Sequence, residues 1–407
     1  MLEATTRSPR MASCLHPSVG CDALDREQAH DLPRHRCGPG PLWRTLPILL
    51  LVLLLEVTAL CAHAAGVAGE PGGAGVGLRG FNLGAETQPP LSDKDYADLA
   101  AYGANVVRIG VEAPLAASGN AFELTASGWA VAERTVAMGS KHGFKVILTL
   151  VSVPWGEDAV FWDRPELQAS LVHIWSKLAA RFKGNKVIAG YDLINEPVRP
   201  RDRNRPQSAD GASGKPDQQA DDWRNLAVAM TRAIRAEDPE STIIYEPSPW
   251  GLPKGFGKLT PLPFSGVVYS FHFYEPHALT HQGLYNHQAA ISYPSEASSR
   301  AQLSRSLDPV RAFALKYTVP ILVGEFSIVR WAPGGSAARY LSDVIELFEA
   351  EGWSWVYHSF REYEGWDAEI DPTLPRGNPA RRSSNAAAIR LLMEKGFFKN
   401  TRAVVQR

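Results

Sequence analysis

The chain has 407 residues and a mass of 44.4 kDa, which allows one large domain or two medium ones. Hydrophobic residues make up 45% and charged residues 21%, so most of the chain is not disordered, collagen-like or coiled coil. Lys and Arg total 42 against 43 Asp and Glu, a formal charge of -1. This balance gives no bulk attraction to nucleic acid or an anionic membrane, and we expect neither as a partner.

Residues 1–64 are predicted to be an export signal with a long basic leading part. The apolar run LPILLLVLLL at 46–55 follows several arginines and precedes Ala62-His63-Ala64. This order of basic, apolar and small residues is typical of a secretory signal, with cleavage after Ala64. The alternative is a membrane anchor, but the run is too short to span ~30 Å of hydrocarbon. We expect a secreted or periplasmic protein without stable membrane association after cleavage.

The four cysteines all lie in this leading segment, at Cys14, Cys21, Cys37 and Cys61. The remaining chain therefore has neither a disulfide framework nor a cysteine metal site. Residues 65–77 are rich in Gly and Ala and are predicted to be a linker. The domain that carries function is expected to span residues 78–400.

Short apolar runs alternate with helical periodicity along this domain. Most of the runs are nearly continuous in Val, Ile, Leu and aromatic residues, as in strands buried on both faces. Strands are predicted at Leu78–Leu83, Asn105–Val111, Phe144–Val151, Val187–Ile194, Ser241–Tyr245, Val267–Phe273, Pro320–Val323 and Gly352–Tyr357. Helices are predicted at Lys94–Tyr102, Gly128–His142, Glu166–Phe182, Asp221–Glu237, Ala297–Lys316, Ala337–Glu351 and Asn385–Lys395. Only the connection from the fifth to the sixth strand lacks a clear helix.

Eight strand–helix units predict an α/β fold, a single-domain (βα)8 TIM barrel. An open doubly wound sheet is the alternative, but the first turn, Gly80-Phe81-Asn82-Leu83-Gly84, lacks the glycine pattern of that fold. The polar stretch at 199–217, rich in Gly and Pro, is predicted to be a loop at the barrel mouth.

Two of the predicted strands end in a glutamate. The fourth ends in Asn195-Glu196-Pro197 and the seventh in Gly324-Glu325-Phe326. Active sites of TIM barrels lie at the C-terminal ends of the strands, and a buried carboxylate is destabilising unless it has partners. We therefore expect the two glutamates to face each other across the mouth. The alternative is a pair of unrelated carboxylates in salt bridges.

The same two tripeptides resemble the acid/base and nucleophile motifs of glycoside hydrolase family 5, the cellulase family. The resemblance covers roughly residues 78–366, and the segments follow in the correct order. The other matching segments are Arg79-Gly80-Phe81-Asn82, Asn105-Val106-Val107-Arg108-Ile109, His272-Phe273-Tyr274 and Trp353-Ser354-Trp355. The third strand departs from the family, because it ends Thr149-Leu150-Val151-Ser152 where many members have a histidine.

The resemblance implies a secreted retaining β-glycosidase, similar to an endoglucanase, that hydrolyses a β-linked polysaccharide or oligosaccharide by double displacement. Glu196 would be the proton donor and base, and Glu325 the nucleophile, with their carboxyls ~5–5.5 Å apart. Arg108 and the Tyr274 hydroxyl would keep Glu325 ionised. Asn195 would bind the sugar 2-hydroxyl. The further substrate-binding or supporting residues would be His272 and Trp355.

Neither a cofactor nor a metal is expected. His277 and His281 are four residues apart, but no carboxylate cluster accompanies them. Glu246, at the end of the fifth strand, is either a substrate contact or a structural acid. The alternative functions are a non-catalytic carbohydrate-binding barrel, which would retain the aromatic residues and lose a carboxylate, and a transglycosylase with the same residues. The glycan, endo or exo cleavage and the oligomeric state stay open.

Overall fold

The computed structural model describes residues 77–84, 90–151, 160–198, 216–284, 290–377 and 382–400. The predicted export signal and all but the last residue of the predicted linker lie outside these ranges. None of the helices in these ranges is long and apolar enough to cross a membrane.

Eight parallel strands close into a barrel in chain order, with the first strand paired to the eighth. They are β1 (Arg79–Leu83), β2 (Val106–Glu112), β3 (Lys145–Val151), β4 (Ile188–Asp192), β5 (Ile243–Tyr245), β6 (Val267–Phe273), β7 (Ile321–Phe326) and β8 (Ser354–Tyr357). Each strand lies at the place that its apolar run predicted. The predicted (βα)8 TIM barrel is therefore confirmed.

Helices connect most of these strands on the outside of the barrel. They are α1 (Asp93–Ala101), α2 (Ala126–His142), α3 (Pro165–Phe182), α4 (Pro216–Glu237), α5 (His277–Thr280), α6 (Arg300–Ser306), α7 (Asp308–Tyr317), α8 (Ser336–Ala350) and α9 (Ala387–Leu392). The connection from β5 to β6 contains only a 3-10 turn, Pro253–Gly257, in agreement with the missing helical pattern.

One segment that was predicted as a single helix forms two helices in the structure. The segment 297–316 is divided at Leu307 into α6 and α7. Pro309 follows this break in the first turn of α7. Proline has no N–H and collides with the preceding turn, so it is tolerated at the start of a helix but not in its interior.

The side chains of the strands form two apolar layers, because successive strand residues point to opposite faces. One layer fills the barrel and contains Val106, Ile147, Ala189, Ile244, Val268, Leu322 and Val356. The other packs between the strands and the helices and includes Trp355 and Tyr357. On β2, β5 and β8, the next inward position lies two residues beyond Val106, Ile244 and Val356. These next positions are Arg108, Glu246 and His358, and they lie at the C-terminal mouth of the barrel.

Candidate active site

Arg108 is the structural centre of the mouth. Its side chain is only 2% exposed, and all five of its N–H donors are used. The guanidinium donates to Asp192 Oδ2 (2.7 Å), Asn82 Oδ1 (3.0 Å), Glu325 Oε1 (2.8 Å), Asn195 Oδ1 (2.8 Å) and Glu246 Oε1 (3.0 Å). One planar group thus holds side chains on β1, β4 and β7, and others that directly follow β4 and β5, in fixed relative positions.

Glu325, at the end of β7, is held in its ionised form. Besides Arg108, its Oε2 accepts a hydrogen bond of 3.0 Å from the Tyr274 hydroxyl, as the resemblance implied. Burial alone would raise the pKa of Glu325. The charges of His272, His358 and Arg108, with the hydrogen bond from Tyr274, outweigh burial and lower that pKa to about 2.

Glu196, after β4, has the opposite electrostatic environment. Burial raises the pKa of its carboxyl, and the negative charges of Glu325 and Glu246 raise it further, against the hydrogen bond from His272. One oxygen of Glu196 and one of Glu325 lie within 4.8 Å of each other. The two carboxyls thus face each other across the mouth, and their pKa values are shifted in opposite directions.

The backbone at Glu196 adopts a conformation that is rare for residues other than glycine. Its φ is +49°, in the left-handed region, where a side chain costs about 1–2 kcal/mol. The backbone N–H of Glu196 donates to Glu246 Oε2 over 3.0 Å. This contact fixes the turn that directs the Glu196 side chain toward the mouth.

His272 and Glu246 support the two facing glutamates from below. His272 Nδ1 lies 2.8 Å from Glu196 Oε1, and its Nε2 lies 3.1 Å from Glu246 Oε1 without hydrogen-bond alignment. Burial alone would lower the pKa of His272, but the carboxylates of Glu246, Glu325 and Glu196 raise it well above its usual value. The surrounding carboxylates therefore favour the protonated form of His272.

The position of Glu246 decides a question that the sequence left open. Its side chain is fully buried, and both oxygens are engaged by Arg108, His272 and the backbone N–H of Glu196. Burial would raise the pKa of Glu246, but His272, Arg108 and this N–H lower it. Glu246 is a structural acid that holds other residues of the mouth and has no free oxygen for substrate.

Glu196, His272 and Glu325 offer donor atoms close enough to contact one cation, and they are the only such trio in the described part of the chain. The raised pKa of His272 opposes metal binding, because an imidazolium has two N–H donors and no free lone pair. The arrangement suits the chemistry of two carboxyls better than that of a metal. That no metal is needed stays a prediction.

Trp355 does not reach the mouth, so its predicted role in substrate binding is wrong. The side chain is fully buried on the outer face of β8, where its Nε1 donates to Glu349 Oε1 over 2.7 Å. Its ring stacks on Phe397 with 5.4 Å between the centroids. The error has a simple cause: in a strand, a shift of one residue exchanges the two faces. The mouth position belongs to His358, whose Nδ1 lies 3.9 Å from Glu325 Oε2.

We predict that Trp355→Phe lowers stability without changing substrate affinity. The substitution removes a buried hydrogen bond and part of a packed ring, which lowers the free energy of unfolding by about 1–3 kcal/mol. Urea unfolding and KM on the same preparation test this. A raised KM with unchanged stability would instead show that Trp355 takes part in substrate binding.

At the end of β3, an aliphatic side chain stands on the inward face. Residues 147, 149 and 151 share that face, and the last of them is the half-buried Val151. The following Ser152 lies outside the described residues. The departure at the third strand thus places Thr149 and Val151, and no histidine, on the inward face of β3.

Comparisons with known proteins agree with this site. The family model Cellulase (glycosyl hydrolase family 5) matches residues 70–364. Endoglucanase C from Acetivibrio thermocellus is 22% identical over 294 residues, which are 64% of this chain and 80% of that protein. Endoglycoceramidase from Cyanea nozakii is 26% identical over 207 residues, 47% of this chain and 33% of that protein.

Solved structures share the fold. Endoglucanase Cel5A from Thermotoga maritima superposes with a TM-score of 0.61 at 19% identity, covering 78% of this chain and 96% of that one. The cellulose synthase subunit Z from Clostridioides difficile has a TM-score of 0.61 at 21% identity, covering 77% and 99%. The match of the family model over most of the described barrel, with the two glutamates at the ends of β4 and β7, shows that the chain belongs to glycosyl hydrolase family 5, the cellulase family.

Proposed function

We propose that this glycoside hydrolase is a secreted, retaining endo-β-glucanase that cleaves β-linked polysaccharide by double displacement. One observation carries the proposal. One carboxyl oxygen of Glu196 and one of Glu325 lie within 4.8 Å of each other, and the pKa of Glu196 is raised while that of Glu325 is lowered to about 2. A separation of ~5–5.5 Å is typical of retaining enzymes, whereas inverting enzymes need ~6.5–9.5 Å for a water molecule.

In the first step, Glu325 attacks the anomeric carbon of the sugar while Glu196 gives its proton to the leaving oxygen. The glycosidic C–O bond breaks and a glycosyl ester forms on Glu325. In the second step, Glu196 takes a proton from water, which attacks the same carbon and releases Glu325 as a carboxylate. Arg108 holds the oxygen of the Asn195 amide, which leaves its NH2 group as the end that binds the sugar 2-hydroxyl.

Hydrolysis of a panel of glycans tests the proposal. We expect new reducing ends from soluble β-1,4-glucan, with the β-anomer appearing first by NMR. Mannan belongs in the panel, because Cel5A from Thermotoga maritima has been solved with cellobiose and with mannotriose. Initial α-anomer would indicate inversion, longer oligosaccharides would indicate transglycosylation, and binding of glycans without cleavage would indicate a carbohydrate-binding barrel.

The opposite pKa shifts predict the pH profile. Glu325 must be ionised, so kcat/KM should fall at acid pH only as the pH approaches its low pKa of about 2. Glu196 must be protonated, so activity should fall as the pH rises above its raised pKa. An aryl glycoside whose leaving group needs no proton still reacts in the Glu196→Gln variant. With this substrate, the rate of the glycosylation step in the variant should no longer fall at alkaline pH. An alkaline limb that persists in this variant would assign it to another group.

The export part of the proposal rests on residues outside the described ranges. It is supported by the order of the residues at 34–64, where basic residues are followed by an apolar run and then by Ala-His-Ala. N-terminal sequencing of exported protein is expected to start at Ala65. Exported protein that retains residues 46–55 would favour a membrane anchor.

A further inference from the structure

Among the described residues of the mouth, His358 is the one whose polar atom next to Glu325 has no hydrogen-bond partner. The backbone N–H of His358 donates to Phe326 O over 3.0 Å, and its ring lies 5.2 Å from that of Trp366. The side chain is 17% exposed. Its position thus results from the inward alternation of β8 and from packing against Trp366.

The buried Nδ1 of His358 has no hydrogen-bond partner among the described residues. The nearest acid on that side, Glu325 Oε2, is 3.9 Å away, which is too far for a hydrogen bond. On the other side of the ring, Nε2 lies 4.0 Å from Glu362 Oε2. Buried polar atoms are almost always paired, and leaving one without a partner is destabilising. An unpaired nitrogen beside the nucleophile is therefore expected to have its partner in the ligand.

We propose that His358 binds one hydroxyl of the sugar whose bond is cleaved and so selects substrates that carry this hydroxyl. The proposal rests on the function proposed above. Two atoms 3.9 Å apart can both lie ~2.8 Å from a third atom placed between them. A hydroxyl at that point donates its proton to Glu325 Oε2 and accepts the N–H of His358 Nδ1.

The chemistry of an imidazole explains why this contact decides specificity. A tryptophan, which the resemblance led us to expect on β8, offers a flat apolar face that tolerates any sugar of similar shape. A site that is built to hydrogen-bond a hydroxyl rejects an analogue without it, because the buried nitrogen is then left unpaired. A histidine at this place therefore provides a contact that requires a particular hydroxyl, where a tryptophan would provide a surface that selects by shape.

The test measures how two changes combine, one in the protein and one in the substrate. The full chain and the variants His358→Ala and His358→Asn are assayed on an aryl β-cellobioside. Three analogues lack hydroxyl 2, 3 or 6 on the sugar next to the aryl group. Glu133→Ala is the control, because Glu133 is an exposed acid on α2 that pairs only with Arg181 in the described part of the chain, and its loss should leave kcat/KM unchanged.

We expect His358→Ala to lower kcat/KM by about 10- to 100-fold on the parent substrate. On one of the three analogues, the alanine variant and the wild type should be equally slow, since the contact is already absent. The other analogues should show the full difference. His358→Asn should recover part of the activity on the parent, because its amide N–H can reach the same hydroxyl.

Two results would overturn the inference. If His358→Ala is slowed by the same factor on the parent and on all three analogues, His358 does not bind any of these hydroxyls. If it matches wild type on the parent, the contact contributes nothing. In both cases the wild type is active, so the proposed function stands. A wild type that cleaves no aryl β-glycoside and no β-glycan overturns both proposals.

Discussion

Replacing Glu325 with alanine is expected to abolish activity on every substrate. Under the proposed mechanism no glycosyl ester can form without this carboxylate, and the loss of a catalytic nucleophile lowers kcat on the order of 10⁵-fold. Glycans and activated aryl glycosides should be affected alike, because both need the nucleophile in the first step. The measurement is kcat on soluble β-glucan and on an aryl β-cellobioside.

Replacing Glu196 with alanine should instead separate the two substrates. Loss of a general acid lowers the rate about 10²- to 10⁴-fold on glycans, whose leaving oxygen needs a proton. An activated aryl glycoside still reacts with Glu325, and its ester accumulates because the base for water is also missing. Added azide needs no base and should release the ester as a β-glycosyl azide. With Glu325→Ala, azide should give the α-product or none.

A matched control and a reversed outcome complete this experiment. Glu133 is an exposed acid that pairs with Arg181 over 2.8 Å, so Glu133→Ala should leave kcat unchanged. If azide instead gives the β-product with Glu325→Ala and the α-product with Glu196→Ala, the two roles are exchanged. If neither variant loses activity on any substrate, the facing pair is not catalytic.

Replacing Arg108 with methionine is expected to reduce both stability and activity. The substitution leaves Asp192, Glu246 and Glu325 buried without their shared cation. Breaking a buried ion pair from one side destabilises by about 3–5 kcal/mol. Arg108 also helps to lower the pKa of Glu325, so the variant should lose activity at a higher pH on the acid side than the wild type does.

Urea unfolding and the acid limb of kcat/KM measure these two effects separately. Arg181→Met is the matched control, because its ion pair with Glu133 is exposed and contributes at most about 1 kcal/mol. Arg108→Lys adds a second comparison, since an ammonium has three donors and cannot hold five acceptors in one plane. An Arg108→Met protein of unchanged stability and pH profile would contradict the central position of this side chain.

Much of the site could be predicted from the sequence because of where its residues lie along the strands. Glu196 and Glu325 each follow an apolar run, and a parallel barrel brings all such C-terminal ends to one mouth. Arg108, Asn195, His272 and Tyr274 were found through the resemblance, and the structure brings them together around the two glutamates. No role in the site was predicted for Asp192 or Asn82, although both are buried polar residues on strands.

The eight strands, the barrel and the two facing glutamates could be predicted from the sequence, because apolar runs and their polar ends depend on local order along the chain. The face of β8 that holds Trp355 and the face that leads to His358 could be assigned only from the fold, since that assignment depends on a register of one residue. The fold also shows that Glu246 is structural, because its partners come from β2, β4 and β6. The direction of each pKa shift in the mouth has the same origin. It depends on burial and on charges that are close in space and far apart in sequence.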